Sequence, residues 1–311
     1  MRVRRLGVVG VAMVAIALVS AACGSSGSSS SGGTVASKLV MGGPPECRTR
    51  ITCLLGLQQI YGLQFKSFRV TDEVGPITEG ALANGQIQVA RLDSSDYAIQ
   101  QRNWLILDDD KHFQQAGNVI PVVTTAKATP EVKSLLNSVS SAMTQGDLFT
   151  LNKEVGADHM DPADAASKFV RDKGLDKGKT PGPKGSLTVG SVTFSENVVL
   201  ANIYADVLKA AGYSVSVKTG LGTREITEPA LESGQINVLP EYAGNYLTYL
   251  NSKVGSLPLD QTVSTLQSLV APKGLTVLNP SNASDSDAIV VTRATAGKYH
   301  LIKISDLGNK A

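Results

Sequence analysis

Apolar and polar positions in the second half of the chain follow the pattern of a parallel α/β protein. Residues 187–191 form a short apolar run that ends in small side chains, which predicts a strand followed by a turn. Residues 195–211 carry apolar side chains at the helical period, and Gly212 ends that segment. Residues 213–218 then alternate as a second strand. This order predicts strands that pair in parallel through a right-handed helical crossover.

The same unit occurs twice in the chain. Residues 78–89 recur, with few changes, as residues 227–238. Each copy predicts a short helix followed by a strand, and the helix ends at Gly85 or Gly234, because glycine readily takes the left-handed conformation of a helix C-terminus. An internal repeat of this kind predicts two copies of one structural unit.

Two such units predict two similar lobes with a ligand cleft between them. Ligands collect at the carboxyl ends of parallel strands, where turns and helix N-termini offer polar groups. The predicted cleft is therefore walled by the turns after Gly42 and Gly190 and by the segments after Val89 and Val238.

Further segments predict elements between the two copies. Residues 120–125 are expected to form a buried strand, and residues 130–143 and 162–171 two amphipathic helices. Residues 176–185 are rich in lysine, glycine and proline, which is typical of a linker.

The N-terminus has the layout of a bacterial lipoprotein signal. Basic residues precede the apolar run 6–19, and small residues stand directly before Cys23. This predicts a signal peptide over residues 1–22, lipidation of Cys23, and a Ser/Gly tether over residues 23–37. The expected location is extracytoplasmic, anchored to the cell membrane by the lipid. The alternative is a plain secretory signal in which Cys23 has no role.

Charge and cysteine content narrow the function classes. The sequence has 29 Lys and Arg against 27 Asp and Glu, and three of the arginines lie within the first five residues, so the exported chain is close to neutral. No nucleic-acid partner is predicted.

Cys47 and Cys53 are close in sequence and belong to an oxidising compartment, which predicts a disulfide; two reduced core thiols are the alternative.

A secreted hydrolase is the competing class. The histidines are His112, His159 and His300, and none stands beside a nucleophile motif. The acidic residues 108–110 could hold a metal ion, but side chains contiguous in sequence point in different directions, which favours an exposed turn. We therefore expect no enzyme activity, no cofactor and no metal.

Several stretches have the motifs of a known family. They are Gly-Ser-Val-Thr-Phe-Ser-Glu-Asn at 190–197, Leu-Pro-Glu-Tyr-Ala-Gly-Asn at 239–245, Gly-Gly-Pro-Pro-Glu-Cys-Arg-Thr-Arg at 42–50, Ser-Ser-Asp at 94–96 and Leu-Asp-Asp-Asp-Lys at 107–111. With them the chain resembles the glycine betaine, carnitine and choline binding proteins of ABC importers. The resemblance implies an α/β, two-lobed type II periplasmic-binding-protein fold with the ligand cleft between the lobes.

The two halves stand in the reverse of the family's order, as in a circular permutation. The resemblance then implies a discontinuous lobe, residues 38–92 plus 287–311, which the strand at 288–292 enters from the other half. Residues 93–286 form a continuous lobe, and the linker 176–185 joins the former ends within it.

The resemblance also implies the ligand-binding residues. Arg50 stands where the family binds the ligand carboxylate, which suits a planar guanidinium, although a surface arginine is the alternative. Tyr242 occupies a position of the aromatic cage that surrounds the cationic headgroup, whereas Asp93 and Asp287 stand at two other cage positions. Four more motif residues are expected in the site: Ser191, Phe194, Asn197 and Asn245.

The expected protein is a receptor that binds a small betaine- or choline-like osmoprotectant between closing lobes. Its partners would be that solute, the transmembrane subunits of an ABC permease and, through the lipid, the membrane. The alternative is a sensory or structural lipoprotein of the same fold with a different ligand or none.

Overall fold

The computed structural model of the protein describes residues 33–72, 75–178, 182 and 184–311. The expected signal peptide at 1–22, the expected lipidation site Cys23 and most of the expected tether lie outside these residues. In the described part of the chain, no helix is both long enough and apolar enough to cross a membrane.

The last residues of the expected tether are folded. Helix α1 spans Val35–Lys38, and its first two residues are buried. The Thr34 hydroxyl accepts a hydrogen bond from the backbone N–H of Ser37 and so caps this helix. Thr34 also pairs with Lys310, so the folded domain begins before residue 37.

In the part of the chain that the structure describes, ten strands form two five-stranded sheets, one in each lobe. The first sheet has the spatial order β2-β1-β3-β10-β4 and contains β1 (Val40–Gly43), β2 (Ser67–Val70), β3 (Val89–Asp93), β4 (Leu105–Ile106) and β10 (Asp287–Val291). The second has the order β7-β6-β8-β5-β9 and contains β5 (Val119–Thr124), β6 (Ser186–Gly190), β7 (Ser214–Lys218), β8 (Val238–Tyr242) and β9 (Leu275–Val277).

The two sheets have the same topology. In each, three neighbouring strands run parallel, as the repeat predicts, and the next strand is antiparallel and enters from the other lobe. Strand β10 lies between β3 and β4, and β5 lies between β8 and β9. The chain therefore crosses twice between the lobes. The two-lobed α/β fold expected from the sequence is confirmed.

Helices pack against both sheets and enclose the apolar core of each lobe. Those of the first lobe, besides α1, are α2 (Leu54–Gln59), α3 (Pro76–Ala83), α4 (Tyr97–Gln101) and α12 (Arg293–Tyr299). Those of the second are α5 (Pro130–Ala142), α6 (Gln145–Gly156), α7 (Pro162–Asp172), α8 (Ser195–Ala210), α9 (Arg224–Glu232), α10 (Ala243–Leu250) and α11 (Leu259–Val270). Just beyond the repeated helices α3 and α9, Gly85 and Gly234 have φ angles of 68° and 76°.

The boundary between the lobes differs from the expected one at residue 93. Strand β4 hydrogen-bonds to β10 in the first sheet. Ile99 and Trp104 belong to the same apolar cluster as Ala288 and Val290 of β10. Residues 93–106 therefore lie in the first lobe. The sequence did not predict this, because a strand of two residues at the sheet edge leaves almost no periodic signal.

The acidic turn at 108–110 has a structural role. Asp109 accepts hydrogen bonds from the Tyr61 hydroxyl at 2.5 Å and from the backbone N–H groups of Phe113 at 3.1 Å and Gln114 at 2.7 Å. One carboxylate thus fixes the turn through which the chain leaves the first lobe.

The two crossing segments are joined to each other. The Asp285 N–H donates to the Gly117 carbonyl at 2.9 Å, and the Val119 N–H donates to the Ala283 carbonyl at 3.0 Å. The backbones approach so closely that a Cβ atom on Gly117 would lie 2.1 Å from the Asp285 carbonyl oxygen. Only glycine fits where these two crossing segments meet.

Candidate functional site

Two adjoining cavities occupy the cleft between the lobes. Their volumes are about 310 Å³ and about 540 Å³, and both are lined by Asp93 and Asp285. Each segment that the repeat predicted as a wall contributes to the lining: Thr52 follows β1, Asp93 ends β3, Phe194 follows β6 and Asn245 follows β8. The cleft therefore lies at the carboxyl ends of the parallel strands of both sheets.

The smaller cavity is acidic. Asp93 and Asp285 face the same space, together with Glu79, Asp96 and Glu196. Burial is the main reason why the pKa values of Asp93 and Asp285 are raised to about 7, and repulsion from nearby carboxylates raises them further. A bound cation would relieve that repulsion and favour the ionised carboxylates.

These pKa values predict how stability depends on pH. Asp285 ionises around pH 7 when folded but near its ordinary value of 3.8 when unfolded, so its contribution to stability is lost as the pH rises between these two values. We expect Asp285→Asn to stabilise the protein at pH 8 by about 1 to 3 kcal/mol, and to change little near pH 4. Urea unfolding across that pH range measures the difference.

A matched control for this variant is Asp172→Asn. Asp172 is 61% exposed at the end of α7 and should follow the wild-type pH profile. The prediction is contradicted if the Asp285→Asn variant gains no stability relative to wild type between pH 4 and pH 8, or if it is less stable than wild type at pH 8.

Phe194 and Tyr97 line the smaller cavity, and a third aromatic ring, that of Tyr242, lies behind Phe194. Phe194 lines the cavity and is 44% exposed. Tyr242 is 1% exposed, its ring centroid lies 5.7 Å from that of Phe194, and its hydroxyl donates to Glu196 at 2.6 Å. Tyr242 therefore supports Phe194 and holds a carboxylate in place, and it does not line the cavity itself.

The larger cavity contains arginines that carboxylates already neutralise. Arg91 lies 2.9 Å from Asp93 and also forms an ion pair with Asp287. Asp287 in turn accepts a hydrogen bond from the Thr52 hydroxyl at 2.6 Å. Arg91 and Asp287 thus form one charge network at the floor of the cleft, and this network joins β3 to β10.

Arg224 forms the second neutralised pair in the same cavity. Its Nε atom lies 3.0 Å from both Glu241 oxygens, and its second terminal nitrogen lies 2.7 Å from one of them. Glu241 is 1% exposed, and burial raises its pKa even though Arg224 opposes that shift. The pair fixes the start of α9 against β8.

Arg50 reaches the larger cavity from a loop closed by a disulfide. Cys47 and Cys53 are both buried and bonded, with 5.1 Å between their Cα atoms. Arg50 is 44% exposed and lies 3.5 Å from Glu46 in the same loop. The disulfide limits the conformations of the segment that carries Arg50.

The structure brings five of the expected ligand-binding residues to the cleft: Arg50, Asp93, Phe194, Asn245 and Asp287. Ser191, Asn197 and Tyr242 are buried beside it. Ser191 accepts from the Gly220 N–H at 3.1 Å, and the Asn197 side chain joins the Val192 N–H to the Pro240 carbonyl. Ser191 and Asn197 shape the turns that wall the cleft.

Six charged residues that line the cleft were not among the expected ligand-binding residues: Glu79, Arg91, Asp96, Glu196, Arg224 and Asp285. Arg91 has a usable signal, because a charged residue between Ala90 and Leu92 in an apolar strand is rarely buried without a partner. Asp285 has no comparable signal, since its place beside Asp93 depends on a contact between distant parts of the chain.

Comparison with protein families identifies the group. The profile described as the substrate binding domain of the ABC-type glycine betaine transport system matches residues 34–172 and 185–311. The chain belongs to this family. Its members are solute-binding transport proteins, and the gap between the matched segments overlaps the expected linker.

Two curated relatives match part of the chain. The glycine-betaine-binding protein of Pseudomonas aeruginosa is 31% identical over 122 residues, which is 39% of this chain and 39% of that protein. The glycine betaine-binding protein YehZ of Escherichia coli K12 is 28% identical over 122 residues, 38% of this chain and 40% of that protein. The matched stretch thus spans about two fifths of each relative's length.

Comparison with solved structures gives matches of low similarity. The phosphate-binding protein of a Streptococcus pneumoniae phosphate ABC transporter covers 87% of this chain and 94% of its own, at 11% identity and a TM-score of 0.40.

Proposed function

We propose that this protein is an extracytoplasmic receptor of an ABC importer that binds a small osmoprotectant-type solute, a quaternary ammonium or related zwitterion, between its lobes. The observation that carries this proposal is the cleft itself. Asp93 of the first lobe, Asp285 of the crossing segment and Phe194 of the second lobe line one cavity, and Arg50 lines the adjoining one. Opposite charges at the two ends of the cleft suit a solute with a cationic head and an anionic tail.

Binding would favour closure of the lobes. A solute between Asp93 and Phe194 makes its full set of contacts only when both lobes surround it, so it stabilises the closed form more than the open one. The paired crossing segments, joined at Gly117 and Asp285, provide the hinge. The receptor carries out no chemistry of its own in this proposal.

We further propose that a lipid on Cys23 anchors the receptor to the membrane and that the closed form delivers its solute to the transmembrane permease subunits. The basic residues, apolar run and small residues before Cys23 support the anchor. Membership of an ABC substrate-binding family supports the permease partner.

We also propose that the halves are circularly permuted relative to the family's usual order. The order of the sequence motifs at 42–50 and 190–197 supports it. The Ala311 N–H donates to the Gly33 carbonyl at 3.1 Å, so the ends of the described domain are adjacent. Adjacent ends are what a chain that was once continuous at this place, and was joined elsewhere, would have.

Calorimetric titration of the purified protein tests the receptor function. Betaine, carnitine, choline and proline are the probes, and we expect at least one to bind. Arg50→Ala should weaken the carboxylate-bearing solutes by about 10- to 100-fold, since it removes a charge-assisted contact. Choline has no carboxylate and should be little affected.

Arg48→Ala is the matched control, because Arg48 lies over the Phe68 ring and does not line the cleft. Equal affinity of the wild type and Arg50→Ala for a carboxylate-bearing solute would remove Arg50 from the site. Absence of binding by all four probes would favour the second candidate, a sensory or structural lipoprotein. The pairing of Arg91 and Arg224 with resident carboxylates is the observation in favour of that candidate.

A further inference from the structure

We propose that the cationic group selected by this cleft is an ammonium that donates N–H hydrogen bonds, a primary or secondary amine, and not a fully methylated ammonium. The proposal rests on the proposed function, namely solute binding in this cleft. It concerns which cation the smaller cavity prefers, and four features of that cavity and its neighbour support it.

The first feature is the type of group around the cavity. Asp93 and Asp285 line it from two different segments of the chain, and Ser95 donates to Asp285 at 2.8 Å from the same wall. Each ionised carboxylate can accept several hydrogen bonds. A primary ammonium supplies three N–H donors, and such charge-assisted bonds are among the strongest in proteins. A quaternary ammonium supplies none.

The second feature is the small amount of aromatic surface. A quaternary ammonium is best held by several ring faces. Among the described residues that line this cavity, the aromatic ones are Phe194 and Tyr97. Tyr242 lies behind Phe194, and its hydroxyl bonds to Glu196. The faces that would enclose a methylated head are therefore largely replaced by carboxylates.

The third feature is the excess of negative charge. The two cavities are lined by the carboxylates of Glu79, Asp93, Asp96, Glu196, Asp285 and Asp287, against the guanidinium groups of Arg50, Arg91 and Arg224. Arg224 is also neutralised from behind by buried Glu241. The walls thus favour a cation. Methyl groups between a cation and these oxygens would leave the carboxylates desolvated without hydrogen bonds, which is unfavourable.

The fourth feature is an acceptor in the adjoining cavity. Gln115 lines the larger cavity, and its side-chain oxygen is buried without a hydrogen-bond partner among the described residues. A buried polar atom of this kind is uncommon in a folded protein. A solute with N–H or O–H donors along its length would satisfy this oxygen as well as the carboxylates, whereas betaine, which has neither donor, would not.

A methylation series tests the inference directly. Ethanolamine, its N-methyl and N,N-dimethyl derivatives and choline share one charge and one hydroxyl and differ in the number of N–H donors. Calorimetry at about pH 7.5 should give affinities that fall at least 10-fold from ethanolamine to choline. Glycine, sarcosine, dimethylglycine and betaine form the zwitterionic series, which should follow the same order.

Asp285→Asn tests whether this preference depends on the carboxylate. It should weaken ethanolamine at least 10-fold and choline much less, so that the ratio between them shrinks. Ser95→Ala is a milder second variant that changes the orientation of the same carboxylate. Asp172→Asn, on the outer surface of α7, should leave both affinities unchanged. The unfolding transition of each variant is recorded first.

The possible outcomes separate the inference from the proposed function. Choline or betaine binding as tightly as, or more tightly than, its unmethylated counterpart overturns the inference and leaves the receptor function in place. A preference for ethanolamine that Asp285→Asn does not reduce also overturns it. Failure of every member of both series to bind overturns the proposed function, and the inference with it.

Discussion

Arg224→Leu should destabilise the protein by about 3 to 5 kcal/mol at pH 8, because it leaves a buried carboxylate without its counterion. Glu241 is 1% exposed in strand β8, and the Arg224 guanidinium contacts both of its oxygens. Besides Arg224, Glu241 has one further donor, the Tyr242 N–H at 3.2 Å. One neutral donor cannot replace the lost charge pair.

The loss of stability in Arg224→Leu should depend on pH in a definite direction. Burial already raises the pKa of Glu241 in the folded protein, and Arg224 lowers it. Removing Arg224 therefore raises that pKa further, so the variant binds a proton in the folded state at a pH where the unfolded chain does not. Stability is then highest at acid pH and is lost as the pH rises through the folded-state pKa. The deficit relative to wild type should shrink towards pH 5.

Chemical denaturation at pH 5 and pH 8 measures this effect. Arg171→Leu is the control, because Arg171 is exposed near the end of α7 and should change stability by less than about 0.5 kcal/mol. A deficit below 1 kcal/mol for Arg224→Leu at pH 8, or one that grows towards acid pH, would show that Glu241 does not depend on its arginine.

Gly117→Ala should cost about 3 kcal/mol of stability and should also weaken solute binding. The added Cβ would lie 2.1 Å from the Asp285 carbonyl oxygen and 2.8 Å from the Ser286 Cβ, so the two crossing segments must move apart. Because Asp285 lines both cavities, its displacement should lower affinity even in the molecules that remain folded.

Gly297→Ala in α12 provides the comparison for this hinge variant. A Cβ at Gly297 meets nothing within 4 Å, and alanine is the better helix former, so this substitution should be neutral or slightly stabilising. Unfolding curves and calorimetry on both variants test the prediction. A Gly117→Ala protein with wild-type stability and affinity would mean that the hinge tolerates the extra atom.

Long periodic segments of this fold could be predicted from the sequence, and short ones could not. The helix expected over 195–211 is α8, Ser195–Ala210, because ten of its sixteen residues are buried at regular spacing. In the first copy of the repeat, residues 63–70 stand where the strand over 213–218 stands in the second copy, but only Ser67–Val70 forms a strand. Leu63 is apolar because it packs against the core that contains Leu57, and not because it belongs to a strand. Strands β4 and β9 have only two and three residues.

Site residues that stand at strand ends could be predicted from the sequence. Those that are placed by pairing between distant segments could not. Phe194 and Asn245 follow strands of the repeat, so their place in the cleft could be expected. The register that sets Asp287 opposite Asp93 joins strands almost two hundred residues apart, and no local pattern encodes it. Ser191 and Asn197 share a motif with Phe194, yet their side chains bond the neighbouring turns.

The exchange of strands between the sheets makes the two lobes depend on each other during folding. Strand β10 pairs with β3 and β4, so without it β3 would have an unpaired edge. Strand β5 pairs with β8 and β9, so without it β8 would have an unpaired edge. An open edge readily accepts a strand from another molecule. A single lobe expressed alone would therefore be prone to pair with a second copy, and the complete chain fills both gaps from within.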